Sequence, residues 1–438
     1  MKVRLSLAGL LAATTLTTTA SADDFAITGV TAWPMTSAEP VRNATIIVRN
    51  DIVASVESDG SVPAGMTVYA APGAVVTPGL FNSATQVGLV ELSSDGSTRD
   101  MTSNWDGVSA GFDISYALNG NSTVVSLARS DGMTGALIYP GPSKKVPFAG
   151  QAAVVKLRDG ADILDHSLAA LVTYIGGNRW RSQADSRAAQ WEALFGLLDH
   201  TREARGKDRR DQGKRGLQGS GRDRGAGGHG HFRGGPDKLD FEAIDAVLDK
   251  EVPLVIFTDR ESDLREAIAL KQQFDVSVVI VGAVQGWRVA RELAVADIPV
   301  VVTPSQDLPV SYDELGARLD NAAILARAGV KVTFGQAGGV ISTNFNAGLA
   351  LRQEAGIAVA NGMPYYEALK AVTVTPRLVF GDGAQDNGTI ATGKAATLVL
   401  WDGDPLEPSS LAQRVFIDGK AVSIENRQDL LARKYAGQ

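Results

Sequence analysis

The sequence predicts a mixed α/β protein: a (β/α)8 TIM-like barrel with a small β-sandwich domain at the chain ends. Two observations carry this. Between residues 253 and 360, apolar runs of strand length alternate four times with runs of helix length, the mark of parallel βα units and of half a barrel. Both chain ends are instead β-rich and broken by Gly, Pro and Asp. With 438 residues, 44% hydrophobic and 21% charged, the chain holds one large domain and a smaller companion.

In order, residues 1–22 combine a basic start at Lys2 and Arg4, an apolar middle over 5–16 and the sequence Ala20-Ser21-Ala22, the pattern of a secretory signal peptide. The mature chain is expected to begin near Asp23. No later apolar run is long enough to span a bilayer, so the product is expected to be exported and soluble, in a bacterial periplasm. The chain has no cysteine, which excludes thiol catalysis and thiolate metal sites. Formal net charge is −7, and −9 without Lys2 and Arg4.

Residues 44–48 and 66–69 read as strands of the N-terminal β region. In the barrel, 253–257, 276–281, 298–302 and 330–334 read as strands, and 261–273, 285–296, 313–328 and 346–360 as helices. The first half is less regular, with polar loops at 93–104 and 141–150; residues 122–127 and 136–139 are its clearest strands.

Residues 205–236 break the pattern. This stretch is Gly- and Arg-rich, with nine Lys/Arg against three Asp, hence +6 on an acidic chain. Such a segment cannot bury a core and reads as a disordered insertion between barrel units. The sharper alternative is an anionic surface or nucleic-acid contact; export and the scarcity of aromatic residues argue against nucleic acid as a partner.

The stretch Thr77-Pro78-Gly79-Leu80 through Gly88 resembles the V-x-PG-L-I-D-x-H-x-H-x-G passage of the amidohydrolase superfamily. Further matches are the run 351–364, then Glu367-Ala368-Leu369 with Thr373 and Pro376, and the closing passage 388–407 with Trp401-Asp402-Gly403-Asp404-Pro405-Leu406. Together they resemble the exported, imidazolonepropionase-like branch. The resemblance implies a barrel over 78–379 and a composite β-sandwich formed by 23–77 with 380–438. It also implies hydrolysis of carbon–nitrogen bonds in amides, cyclic amides or dipeptides with one or two divalent metals such as zinc.

The residues that carry this chemistry in the family are replaced. Asn82 stands at the family's Asp, Ala84 and Gln86 at its two first-strand His, Phe257 at the fifth-strand His, Val281 near the sixth-strand His and Ala337 near the eighth-strand Asp. Imidazole and carboxylate would hold the cation and take the proton of its bound water, which these replacements cannot do. No cofactor is therefore expected. Of the four histidines, His166 reads as lying at a helix start, His200 at a helix end, and His229 and His231 in the Gly-rich segment, where they offer at most an adventitious contact. Gly107-Val108-Ser109-Ala110-Gly111 spells a nucleophile elbow without the strand that elbow needs, and Gly335-Gln336-Ala337-Gly338-Gly339 reads as a tight strand-to-helix connection.

The polar residues expected at the barrel mouth are Asn82, Gln86, Thr258, Asp259, Arg260, Gln336 and Asn344, offered as small-molecule contacts. For the group 258–263 the alternative is helix capping by Asp259 or Ser262. Two functional readings stay open: a hydrolase with an unconventional, metal-free centre, or a non-catalytic barrel that binds a small ligand or a protein partner. Phe257 decides between an open mouth and a plugged one.

Overall fold

The computed structural model describes residues 24–91, 95–103, 108–142, 147–176, 186–217, 238–309, 311–336, 346–381 and 386–436. The expected signal peptide over 1–22 and most of the Gly/Arg-rich segment lie outside these residues. Among the described residues, no helix is long and apolar enough to cross a membrane.

The N-terminal region forms β1 (Phe25–Ala32), β2 (Val41–Arg49), β3 (Ile52–Ser58), β4 (Thr67–Ala70) and β5 (Val75–Pro78). The barrel contributes β6 (Leu80–Thr85), β7 (Met133–Ile138), β8 (Phe148–Lys156), β9 (Leu164–Tyr174), β10 (Leu254–Thr258), β11 (Val278–Gly282), β12 (Val300–Val302) and β13 (Val332–Phe334). The C-terminal region adds β14 (Leu398–Trp401), β15 (Ala412–Ile417) and β16 (Lys420–Val422).

The two chain ends meet in one sheet, ordered β16-β15-β14-β5-β1-β2-β3, with β4 also paired to β1. The join is the antiparallel ladder of β14 with β5, where Leu398 faces Pro78 and Trp401 faces Val75. Hydrogen bonding is continuous, so the two chain ends form one composite sheet domain that curls over a shared core. The curl starts at Gly29, whose φ of 76° suits glycine. Before it β1 pairs with β4, and after it with β5. As a result Phe25 of β1 stacks on Phe416 of β15 at 4.4 Å, over a core that includes Ile27, Ile46, Val76 and Leu398.

The second sheet, β6 to β13 in sequence order, is the barrel. Strands β9 to β13 are parallel, as their βα alternation predicts. The first half differs from eight uniform βα units, because β8 runs antiparallel to both β7 and β9. Short connections allow this reversal, since antiparallel neighbours need no crossover. The ring nearly closes between β13 and β6, where Gln336 N–H donates to Ala84 O at 2.9 Å. Gly335 is required at that seam, since a Cβ there would lie 2.7 Å from Ala84 N.

Three local expectations change. Residues 122–127 begin the helix Thr123–Ser130, because Ser122 caps it by accepting Val124 N–H at 3.3 Å and Val124, Val125 and Ala128 bury one face. His166 lies on strand β9, where Asp165 accompanies it at 3.4 Å. His200 lies inside the long helix Arg187–Leu217, which carries regular structure through the first part of the 205–236 segment. Lys, Arg and Gln are good helix formers there, and Arg205 anchors the helix through Asp245 at 3.4 Å and through Asp249.

The family-like motifs serve as joints. Gly79 packs against Thr134, whose Oγ1 would lie 2.2 Å from any Cβ. Arg377 donates to Gly79 O and Thr373 O, both at 2.9 Å, and pairs with Asp386 at 3.0 Å. Arg352 reaches from the helix Ala347–Ala360 into the closing motif, donating to the carbonyls of Pro405, Glu407 and Ser410 and covering the Trp401 ring at 4.7 Å. Thr397 Oγ1 accepts Asp418 N–H at 3.3 Å.

Candidate functional site

In a parallel barrel the residues available for chemistry stand at the C-terminal strand ends. Side chains alternate between the barrel axis and the surrounding helices, and here the two directions form separate apolar clusters. One is helix-facing and contains Leu254, Ile256, Val278 and Ile280; the other is axial and contains Val255, Phe257, Val279 and Val281.

Phe257 is fully buried on the axial side. Its ring stacks on Tyr174 at 4.5 Å and lies 4.9 Å from Tyr139. Tyr174 ends β9 and donates its hydroxyl to Pro140 O at 2.7 Å. Burial pushes that hydroxyl well above its ordinary ionisation range, and Tyr139 adds to the effect, so it stays a neutral donor. Ala84, Val281 and Val301 belong to the same cluster. The axial side of these strand ends is thus filled by aromatic and aliphatic side chains.

The structure brings Asn82 and Gln336 together at the seam between β6 and the end of β13. Both are fully buried. Asn82 Nδ2 donates to Gln336 Oε1 at 2.5 Å and lies 3.5 Å from Ala347 O, while Asn82 Oδ1 accepts Ala84 N–H at 3.1 Å. Turned over, the Gln336 amide donates to Ala347 O at 3.3 Å and accepts Leu351 N–H at 2.9 Å, so its partners are protein groups in either orientation. The pair sits beneath the first turn of the helix Ala347–Ala360 and clasps β6 to the end of β13.

The other expected residues are spread around this clasp. Gln86 is buried after β6, next to Gly141, where an added Cβ would stand 3.7 Å from Gln86 Nε2. Thr258 has the helix-facing parity of Leu254 and Ile256, so alternation turns it away from the axis. Asp259 is buried against Gly282, where an added Cβ would meet Asp259 Oδ1 at 2.4 Å. Arg260 is exposed and occupies the N-cap position of the helix Glu261–Phe274 without a side-chain bond. The expected capping by Asp259 or Ser262 is replaced by Gln285, whose Oε1 accepts Glu261 N–H at 3.1 Å. Asn344, Ala337, His229 and His231 lie outside the described residues.

A divalent ion needs several oxygen, nitrogen or sulfur donors converging within about 2.0–2.6 Å of one point. The side chains at these strand ends are amide, hydroxyl, alkyl and aromatic, with Asp259 as the carboxylate. Among the described residues there is no group of three or more His, Asp or Glu able to hold a metal. The donor set among the described residues does not fit the ion. Ser109 is accounted for structurally: its hydroxyl donates to Phe148 O at 3.3 Å and its N–H to Asp240 at 3.1 Å.

Tyr139 and Tyr174 are the site residues that sequence reasoning missed. Each ends an apolar run and precedes a Pro-Gly or Gly-Gly turn, which was the available signal.

Residues 225–424 match the profile of the amidohydrolase family. A 60-residue stretch is 43% identical to the amidohydrolase tasK of Hapsidospora irregularis, covering 14% of this chain and 6% of that protein. Among solved structures, an amidohydrolase from Thermotoga maritima MSB8 superposes with a TM-score of 0.77 at 23% identity, covering 91% of this chain and 99% of that one. A prolidase complexed with N-methylphosphonate-L-proline gives 0.56 at 15% identity, with 91% and 99% covered. An adenosine deaminase from Xanthomonas campestris with bound zinc gives 0.53 at 16%, with 94% and 96% covered. At these identities the likeness to solved structures is one of fold.

Proposed function

We infer that this chain is an amidohydrolase-family protein, a barrel of the type that hydrolyses carbon–nitrogen bonds, whose own strand ends have exchanged metal ligands for packing. On this reading it is an exported, non-catalytic member that uses its scaffold to bind a small ligand or a protein partner. The observation that carries the reading is Phe257, fully buried, stacked on Tyr174 and packed at a tilt against Tyr139 at the fifth-strand position.

The competing reading, a metal-free hydrolase built on the polar replacements, needs a group that can take a proton near neutral pH. Asn82 and Gln336 are amides with protein partners, and neither can do so. The family match keeps hydrolysis as the reference activity to test against.

The experiment is to restore the first-strand pair alone with Ala84→His and Gln86→His, then to assay zinc-loaded wild type and variant on N-acyl amino acids, cyclic imides and dipeptides. Neither is expected to turn over, because the fifth-, sixth- and eighth-strand positions still lack ligands. Hydrolysis by the wild type, or hydrolysis gained by the double variant, sinks this reading.

A further inference from the structure

A cavity lies on the outer wall of the barrel, between the helix Thr123–Ser130 and the C-terminal helix Arg427–Ala436. Its volume is about 320 Å3, and its walls include Glu91, Thr123, Leu127, Asn426, Arg427 and Leu431. That is the lower end of the range of roughly 300–1,000 Å3 typical of small-molecule sites, which suits a ligand smaller than a nucleotide.

The chemistry of the walls is specific. Glu91 and Arg427 carry opposite charges onto one cavity, and among the described residues neither has an ion-pair partner. Glu91 uses Oε1 to accept Asn119 Nδ2 at 2.9 Å. Arg427 is harder to explain by the fold. It stands at the first position of its helix, where a cation opposes the macrodipole. The helix is already capped without it, since Asn426 Oδ1 accepts Gln428 N–H at 2.8 Å and Asp429 N–H at 3.2 Å.

Leu127 and Leu431 give the same cavity apolar walls. The C-terminal helix buries none of its residues, and Leu431 remains 40% exposed although it borders the cavity. Asn426 Nδ2, 3.3 Å from Ser130 Oγ, ties the start of the helix to its neighbour. The result is an apolar cleft with an anion on one wall, a cation on another and a lightly held helix as its outer side.

We propose that this cavity binds a small zwitterion with an apolar side chain, of the α-amino-acid class. Its carboxylate is held by Arg427, its ammonium by Glu91, and its side chain lies between Leu127 and Leu431. The site is separate from the barrel centre and does not depend on whether that centre is catalytic.

The test is isothermal titration of the full chain with L-alanine, L-valine and L-leucine, followed by L-leucinamide and 4-methylpentanoate, which each lack one of the two charges. L-leucine is expected to bind, and both single-charge analogues to bind at least about tenfold more weakly. Arg427→Gln should weaken L-leucine binding by a similar factor while leaving L-leucinamide unchanged, and Glu91→Gln should do the same with 4-methylpentanoate as the unaffected ligand. The wild-type comparison of L-leucine with its analogues reads the proposal even where a variant fails to fold. No binding of the three amino acids at about 10 mM, or equal affinity for L-leucine and both analogues, overturns it.

Discussion

Replacing Phe257 with alanine separates a packed core from a vacated site. A metal-binding or catalytic position is commonly one where stability is given up for function, so truncating it costs little. Phe257 is instead fully enclosed, with rings at 4.5 Å and 4.9 Å and Val255, Val279 and Val281 in the same cluster. Removing a buried phenyl from such surroundings costs about 3–5 kcal/mol. Its two aromatic contacts, each contributing about 0.5–1.5 kcal/mol beyond burial, favour the upper end. With a urea dependence on the order of 3 kcal/mol per molar, the midpoint of unfolding should fall by roughly 1–2 M. Near-UV circular dichroism and tryptophan fluorescence should report the same shift. A loss below about 1 kcal/mol would refute the packing argument, because the ring would then be filling no necessary space.

Three further outcomes follow from named contacts. Asn82→Leu should cost about 1–3 kcal/mol by orphaning the buried Gln336 amide, and the cycle with Gln336→Leu should show coupling of about 0.5–3 kcal/mol by chemical denaturation; additive losses would mean the clasp is not a unit. Gly132→Ala should cost about 1–3 kcal/mol for overpacking, with about 1–2 kcal/mol more for positive φ, since φ is 82° and the new Cβ would meet Trp401 Cη2 at 2.2 Å. Gly65→Ala, with φ of 87° and nothing within 4 Å, is the control that pays for φ alone, and melting temperatures should separate the two. The third concerns pH: burial raises the Glu354 carboxyl above its ordinary 4.5, opposed in part by the Ser305 hydroxyl and N–H at 2.6 and 2.7 Å. The folded state therefore holds that proton more firmly than the unfolded chain, and its contribution is full below about pH 4.5 and lost as pH rises through the raised value. Stability of the wild type relative to Glu354→Gln should accordingly fall with rising pH across that window; a rising difference would contradict the assignment.

The second half of the barrel was legible because each unit is local. A strand such as Leu254–Thr258 is a short apolar run with a Pro before it, and the helix Glu261–Phe274 opens with acids and buries Leu264, Ala267 and Leu270 at helical spacing. The first half was not, because its structure rests on distant pairing. Strand β8 carries three Ala and one Gly among its nine residues and owes its antiparallel place to β7 and β9 on either side. The helix after Ser122 hides behind a β-branched pair, and only its cap gives it away.

The strand ends follow the same rule. Motif position alone located Ala84, Phe257 and Gln336, since a strand carries its residues to the mouth in register. What surrounds them did not follow from position: Tyr174 reaches Phe257 from strand β9, and the Asn82–Gln336 clasp spans 254 residues. Thr258 stands at the C-terminal end of β10 as expected from its position, but which side it faces depends on parity along β10, which its neighbours set.

The most direct measurement is metal content. The purified protein, with His229→Ala and His231→Ala to remove the adventitious pair, would be incubated with zinc and manganese, desalted and analysed by elemental mass spectrometry. If the strand ends are packed as described, the metal-to-protein ratio stays near zero for both ions. A near-stoichiometric ratio that survives desalting would contradict the account and place a binding centre at the mouth of this barrel.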